Sequence, residues 1–357
     1  MNGLVPAMAR SVDKPRDGIF VFGRGPAGAN LRGVNYRRLR SSPAPFFNSI
    51  QIQRALPSSV GAVLYQSFTP PFSAAARVTV IFDMIYVTRP ELFTRIERAY
   101  FRTLPRMLGR AEVVATISEH VRAELIERFP ARDPETIRLI YPGVDERFLM
   151  DEATRAMAAE SAKRELGLDR PYVAAVGRRN PRKNLARLVR AFMAANLDGV
   201  ELVLAGPTEG PKDEELELAI ERAGARVRQL GEVPDEALPW IYAGAECVCY
   251  VSLAEGFGIP PLEAMASGTP VIASSIPPLL EVLGDSALFV NPLDEEEMSA
   301  ALQRLLLGAE ERSRLVRLGL ERADVFTWDR SADAAFAALR MAAEIRPRNH
   351  ASTDRGR

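Results

Sequence analysis

Tyr172-Val-Ala-Ala-Val-Gly-Arg-Arg-Asn-Pro-Arg-Lys-Asn184 is the stretch from which the fold of this chain can be read. Its first five residues, Tyr172 to Val176, make a short apolar run that predicts a buried strand, and a polar loop follows through Lys183. Beyond it Leu185, Leu188, Val189, Phe192 and Met193 recur at i, i+3, i+4, i+7 and i+8, the spacing of an amphipathic helix. Asn184 stands where a side chain would cap that helix. The cycle then repeats. Strands are expected at 200–205, 226–230, 247–251 and 271–274, and helices at 213–223, 235–243 and 260–266. Strands alternating with helices over short loops imply a parallel sheet covered on both faces. Residues 166–327 therefore read as one doubly wound α/β domain.

Toward the N-terminus the same pattern is coarser. Apolar runs at 19–22, 60–65, 78–82, 113–117 and 137–140 read as strands, with helical stretches at 93–108 and 119–129. Residues 1–165 are expected to form a second α/β domain, joined to the other through the charged, alanine-rich stretch 145–168. A doubly wound domain normally opens with a strand and a glycine turn, whereas residues 4–10 look helical, so the first strand–turn unit is expected to be missing. Residues 328–345 are apolar-periodic and predict a helix near the domain junction, followed by a polar tail at 346–357.

Composition limits the function. A chain of 357 residues has room for two cores, and 47% apolar with 26% charged residues excludes a mostly disordered chain. Lys and Arg number 46 and so do Asp and Glu, so nothing global draws the chain to nucleic acid or anionic lipid. Cys247 and Cys249 stand one residue apart in an apolar run, which suits neither a disulfide framework nor a zinc site and points to a reducing compartment. No apolar stretch is long enough to span a bilayer, and the opening ten residues lack a signal-peptide core. A cytoplasmic location is expected.

Two constellations carry chemistry. In Glu255-Gly-Phe-Gly-Ile-Pro-Pro-Leu-Glu263 a strand runs into a loop with two glycines, then into a helix whose start is marked by Pro260 and Pro261. Unpaired amides and the helix dipole there suit an anion, and glycines admit close approach to the backbone. Glu255 is expected on the loop, facing a cleft and accepting hydrogen bonds from hydroxyls, with Glu263 in the first helical turn reaching a diol. On the purely structural reading, Glu263 complements the helix dipole and the glycines shape a turn. The second constellation, Arg178, Arg179, Arg182 and Lys183, places four cations at a helix start, where the dipole opposes them unless an anion binds. Two anion-suited loops at one edge of one parallel sheet favour a ligand over a solvated basic loop.

Four runs, Val176 to Asn184, Leu204-Ala-Gly-Pro207, Gly231-Glu-Val-Pro-Asp-Glu236 and Glu255 to Glu263, together resemble the retaining glycosyltransferases of family 4, with the mannosyltransferase-like members closest in texture. The likeness spans residues 60–345 and is densest in the second half. It implies a GT-B fold, two Rossmann-like domains facing a cleft, and transfer of a hexose such as mannose from a nucleotide-diphosphate sugar to a glycan or lipid-linked acceptor. By the same resemblance Glu255 contacts the transferred sugar, Glu263 the ribose, and Arg178 and Lys183 the diphosphate. Gly256, Phe257, Gly258 and Ile259 line the donor, and Val233 lies beside the base. Retention by front-face attack, with the leaving phosphate helping to deprotonate the acceptor, is likewise what the resemblance implies. No Asp-x-Asp motif is present, so a metal-independent reaction is expected, with Arg and Lys meeting the charge that develops on the leaving diphosphate.

The first half is expected to hold the acceptor. Val78 to Asp83 resembles the family's strand ending in His-Asp, but Phe82 replaces the histidine, and Tyr65 stands where many members carry another. Asp83 is a candidate for acceptor hydroxyls and equally for a structural cap. His120, one of two histidines, reads as a capping or surface residue. Arg95, Arg98, Arg102, Arg106 and Arg110 fall on one face of a helix, which is either solvated or held against the inner membrane surface. Residues 1–60 carry nine Lys and Arg against two Asp, an excess that would favour an anionic acceptor or lipid. Aromatic residues are too sparse among them for nucleic acid. Gly23-Arg-Gly25 lacks the rest of a dinucleotide fingerprint. Two other classes compete with a transferase: a nucleotide-sugar-binding protein with little or no catalysis, motivated by the missing opening strand, and an epimerase, which the shortage of histidines disfavours.

Overall fold

A computed structural model describes residues 3–10, 19–23, 34–38, 51–93, 95, 98, 102, 104–208 and 213–353. The chain divides into two compact units, Met1–Gly143 with Thr327–Arg357, and Val144–Phe326.

The first unit opens with helix α1 (Leu4–Arg10) and a parallel pair, β1 (Ile19–Gly23) and β2 (Val34–Arg38). A separate four-stranded parallel sheet runs β3 (Ala62–Gln66), β4 (Ala76–Ile81), β5 (Val113–Thr116) and β6 (Ile137–Leu139). Helix α2 (Glu119–Arg128) follows β5 and is capped by Ser118, whose Oγ accepts from Val121 N at 3.2 Å. Val121 and Leu125 of that helix join Ile81, Met84, Leu108, Val114 and Ile137 in the unit's core. Of the expected helix at 93–108, the described residues include a helix at Leu104–Leu108 and a 3₁₀ turn at Pro90–Leu92. Arg24 and Gly25 of the Gly23-Arg-Gly25 run, and most of the basic residues before 60, lie outside the described residues.

The second unit opens with helix α3 (Glu152–Leu166). Its six-stranded parallel sheet has the order β12-β11-β10-β7-β8-β9, made of β7 (Tyr172–Val176), β8 (Glu201–Ala205), β9 (Val227–Gly231), β10 (Cys247–Tyr250), β11 (Val271–Ser274) and β12 (Leu288–Val290). The strand order reverses beside β7, between β10 and β8, which is where ligands gather in doubly wound sheets. Helices α4 (Leu185–Ala194), α5 (Glu214–Ala223), α6 (Leu238–Gly244), α7 (Ile259–Ala266), α8 (Pro277–Leu283), α9 (Glu295–Leu307) and α10 (Ala309–Ala323) connect and cover the strands. Leu202, Val203, Leu204 and Ala205 are all buried on successive positions of β8, as two covered faces require. At the carboxyl ends of β7 and β8 the backbones nearly touch. A Cβ on Gly206, whose φ is +140°, would fall 2.1 Å from Gly177 O, so no other residue fits there.

Two expected boundaries move. The stretch 145–168 is no linker: it contains α3, part of the second unit, and the division falls after Gly143 rather than at 165. Asp151 caps α3 by accepting from Thr154 N at 2.8 Å, and Arg228 donates to the carbonyls of Leu166 and Gly167 at its other end. The final helix α11 runs Trp328–Thr353, well past 345, and belongs to the first unit. Its buried face is Ser331, Ala332, Ala335, Ala338 and Ala342, and the Arg346 guanidinium donates to the carbonyls of Ser73 and Ala75. The helix so takes in residues 346–353 of the expected tail.

Candidate active site

The loops after β7 and β10 are bound to each other. Asn184 takes the left-handed conformation (φ +59°) and does not cap α4 as its position suggested. Its side-chain amide instead donates to Val251 O at 3.0 Å and Pro292 O at 2.6 Å. Leu253 N donates to Arg182 O at 2.8 Å, and the Arg182 guanidinium to Ala254 O at 2.8 Å. This lacing brings the 3₁₀ turn Pro181–Lys183 against the strand end that leads to Glu255.

Glu255 is therefore not an open acceptor on a loop. Its side chain is only 9% exposed, with Lys183 Nζ 2.7 Å from Oε1 and Arg182 2.7 Å from Oε2. Lys183 also donates to the Tyr250 hydroxyl at 2.7 Å. Burial alone would raise the Glu255 carboxyl, but the charges and hydrogen bond of Lys183, with the charge of Arg182, win and hold it at about 2. Burial likewise depresses Lys183, which Glu255 opposes. The cluster sums to one positive charge: two cations and a carboxylate.

The resemblance puts Arg178 and Lys183 together on the diphosphate; in the structure Lys183 is paired with Glu255, and Arg178 is not. Arg178 is exposed and has no hydrogen bond or ion pair among the described residues. Arg182, rather than Arg178, pairs with the Glu255 carboxylate beside Lys183. Arg179 turns along the loop, donating to Thr208 Oγ1 at 2.8 Å and to Gln229.

The other end of the Glu255–Glu263 run is different. Gly258 (φ +124°) turns the chain into α7, and a Cβ there would meet Leu279 Cδ2 at 2.6 Å. Two of the first three residues of α7 are prolines without an amide, so the amides of its first turn that have no partner within the helix reduce to Ile259 and Leu262. Phe257 is buried edge-on against Phe326 at 5.6 Å, leaving only its backbone to face a ligand. Ile259 is 37% exposed. Glu263 is the fifth residue of α7, not in its first turn, and accepts from the Tyr242 hydroxyl at 3.1 Å. Burial is the main cause that lifts its carboxyl to about 7; Tyr242 and Arg147 pull it down while Asp145 and Asp235 push it up. Val233 is half-buried on the loop after β9.

In the first unit Asp83 accepts from Ile85 N at 3.1 Å at the start of the short helix Ile85–Thr88, the structural role weighed above. His120 lies in α2, 3.8 Å from Glu124, and Tyr65 is buried with its hydroxyl accepting from Gln53 at 3.0 Å. Sequence reasoning missed Tyr242 and Tyr250 because both sit in apolar runs that read as core, and it counted Arg182 only among the four cations of its loop.

Comparison with known proteins fits this geometry. Residues 157–322 match the family described as glycosyl transferases group 1. The chain is 32% identical over 272 residues to O-antigen chain mannosyltransferase B of Escherichia coli, a stretch covering 74% of this chain and 70% of that protein. It is 36% identical over 248 residues to D-inositol 3-phosphate glycosyltransferase of Salinispora tropica, covering 63% of this chain and 51% of that one. Among solved structures, HepE of Anabaena, in complex with UDP and glucose, superimposes with a TM-score of 0.73 at 17% identity over 94% of each chain, a likeness of fold. The chain belongs to the group 1 glycosyl transferases and has the GT-B fold.

Proposed function

We propose that this glycosyltransferase moves a hexose, mannose foremost, from a nucleotide-diphosphate sugar to a glycan or lipid-linked acceptor with retention of configuration. The names of the relatives, mannosyltransferases among them, support the sugar. The observation that carries the reading is the Lys183–Arg182–Glu255 cluster at the carboxyl ends of β7 and β10, with its net positive charge. Such a charge, fixed before the reaction, stabilises the diphosphate oxygens as the glycosidic bond breaks. Lys183 would donate to the diphosphate, and Arg178, exposed on the same loop, would grip it with paired hydrogen bonds.

Glu255 remains a carboxylate at neutral pH and can only accept, which suits the hydroxyls of the transferred sugar. Glu263, with its carboxyl near 7, can accept from or donate to the ribose hydroxyls. Backbone amides of Gly256, Phe257, Gly258 and Ile259 would complete the donor contacts, with Val233 beside the base and Asp83 on the acceptor side. Lys183→Ala is expected to lower transfer from GDP-mannose or UDP-glucose about 100–1,000-fold while the variant stays folded. EDTA is expected to leave the parent's rate unchanged, since cations of the chain replace a divalent ion. Equal rates for variant and parent would refute the site, and chelator loss reversed by Mg²⁺ would refute metal independence. Binding without turnover would favour a donor-binding protein instead.

Peripheral membrane contact belongs to the same proposal. Arg95, Arg98, Arg102, Arg106 and Arg110 are all exposed, and none has an acidic partner among the described residues. No helix among the described residues is long and apolar enough to cross a membrane. Vesicles rich in anionic lipid should pull the protein down at low salt and release it at high salt, while neutral vesicles should not. Equal pelleting with both would sink this part.

A further inference from the structure

We infer that Tyr250 is a positioning residue: its hydroxyl, together with Glu255, fixes the Lys183 ammonium so that one N–H remains for a phosphate oxygen of the donor. The inference rests on the donor-site reading above and adds a residue to it.

Tyr250 closes β10 after Cys247, Val248 and Cys249, all buried, and is itself 5% exposed. A buried phenol needs a polar partner. Here the partner is a cation: Lys183 Nζ donates to the Tyr250 hydroxyl at 2.7 Å and lies 4.3 Å from the ring centroid. An ammonium has three N–H donors. Two are committed, to Glu255 Oε1 and to Tyr250, both at 2.7 Å. A lysine on a four-carbon stem is otherwise a mobile point charge; two fixed acceptors turn it into a directed donor.

The identity of the second acceptor matters. Burial and the neighbouring Glu255 carboxylate both raise the Tyr250 phenol, so it stays protonated and accepts without adding charge. A carboxylate at this position would cancel the positive charge left by Lys183, Arg182 and Glu255 and turn a diphosphate away. Phenylalanine would keep the ring under the cation and fill the same volume, losing only the hydroxyl.

Titration calorimetry with UDP and GDP on the full chain tests this as a double-mutant cycle. Tyr250→Phe should weaken binding of whichever diphosphate the parent binds about tenfold, the scale of one hydrogen bond to a charged group. Added to Lys183→Met, the same change should alter binding less than about twofold, because the hydroxyl acts only through the ammonium. Equal losses in both backgrounds would assign Tyr250 to packing and overturn the inference. So would a Tyr250→Phe variant that binds like the parent while Lys183→Met binds poorly. If Tyr250→Phe alone fails to fold, recovery of the fold in Lys183→Met/Tyr250→Phe supports the role, and failure of both overturns it. A parent that binds neither diphosphate overturns the donor-site reading itself, and this inference with it.

Discussion

Two glutamates share one nine-residue run, Glu255 to Glu263, yet their carboxyls lie at opposite ends of the scale. Both are largely buried, so desolvation pushes both upward. Glu255 meets two cations across its two oxygens and is held at about 2. Glu263 meets a phenol and one arginine, opposed by two aspartates, and with burial dominant rises to about 7. Burial sets the stakes, and the neighbours decide the outcome. One residue is a fixed anion; the other is poised between forms at neutral pH.

The two also drive stability in opposite directions. Glu255 adds stability that is present above about pH 4.5 and lost as the pH falls toward 2. Glu263 adds stability that is present below about pH 4.5 and lost as the pH rises through about 7.

The largest effect should come from breaking the fixed end. Glu255→Ala leaves Lys183 and Arg182 facing a void, a loss of about 3–5 kcal/mol by chemical denaturation if the pair behaves as a typical buried one. A midpoint equal to the parent's would show that the cluster is already solvated. Next comes the poised end. Glu263→Gln keeps an acceptor for Tyr242 but cannot ionise, so it should match the parent near pH 4.5 and exceed it by about 1–3 kcal/mol at pH 8. Parallel pH–melting curves for the two proteins would contradict a raised carboxyl at 263. The smallest effect belongs to Arg178→Ala, exposed and unattached among the described residues, which should move stability by less than about 0.5 kcal/mol while still weakening donor binding. A marked drop in its melting point would mean that Arg178 has the structural role assigned to Arg182.

The alternation from residue 172 to 274 was legible because four of its five strands are apolar on both faces and its loops short, and each expected strand there is found within two residues. The linker was misread for an equally physical reason. Helix α3 buries Ala158 and Ala162, so its contact stripe is made of small residues that leave no hydrophobic period to see. At the candidate site, motif spacing singled out Lys183, Glu255 and Glu263, and the first two are paired in the structure. It could not foresee that Arg182 would take the second carboxylate oxygen of Glu255, because that depends on the lacing of Leu253 to Arg182 and of Asn184 to Val251. Phenols hidden in strand and helix cores were invisible for the same reason: sequence shows the ring, not the neighbour.

The return of α11 to the first unit sets an order of assembly. Val144–Phe326 is inserted between Gly143 and Thr327, and Val144 N donates to Phe326 O at 2.9 Å where the insertion begins and ends. On the ribosome the inserted unit is complete before the helix bearing Ala332, Ala335 and Ala338 has emerged. The sheet that began first must wait, with one flank bare, for a segment synthesised after the whole inserted unit. The older half of the nascent chain is thus the later to mature, and the one a chaperone would shelter longer.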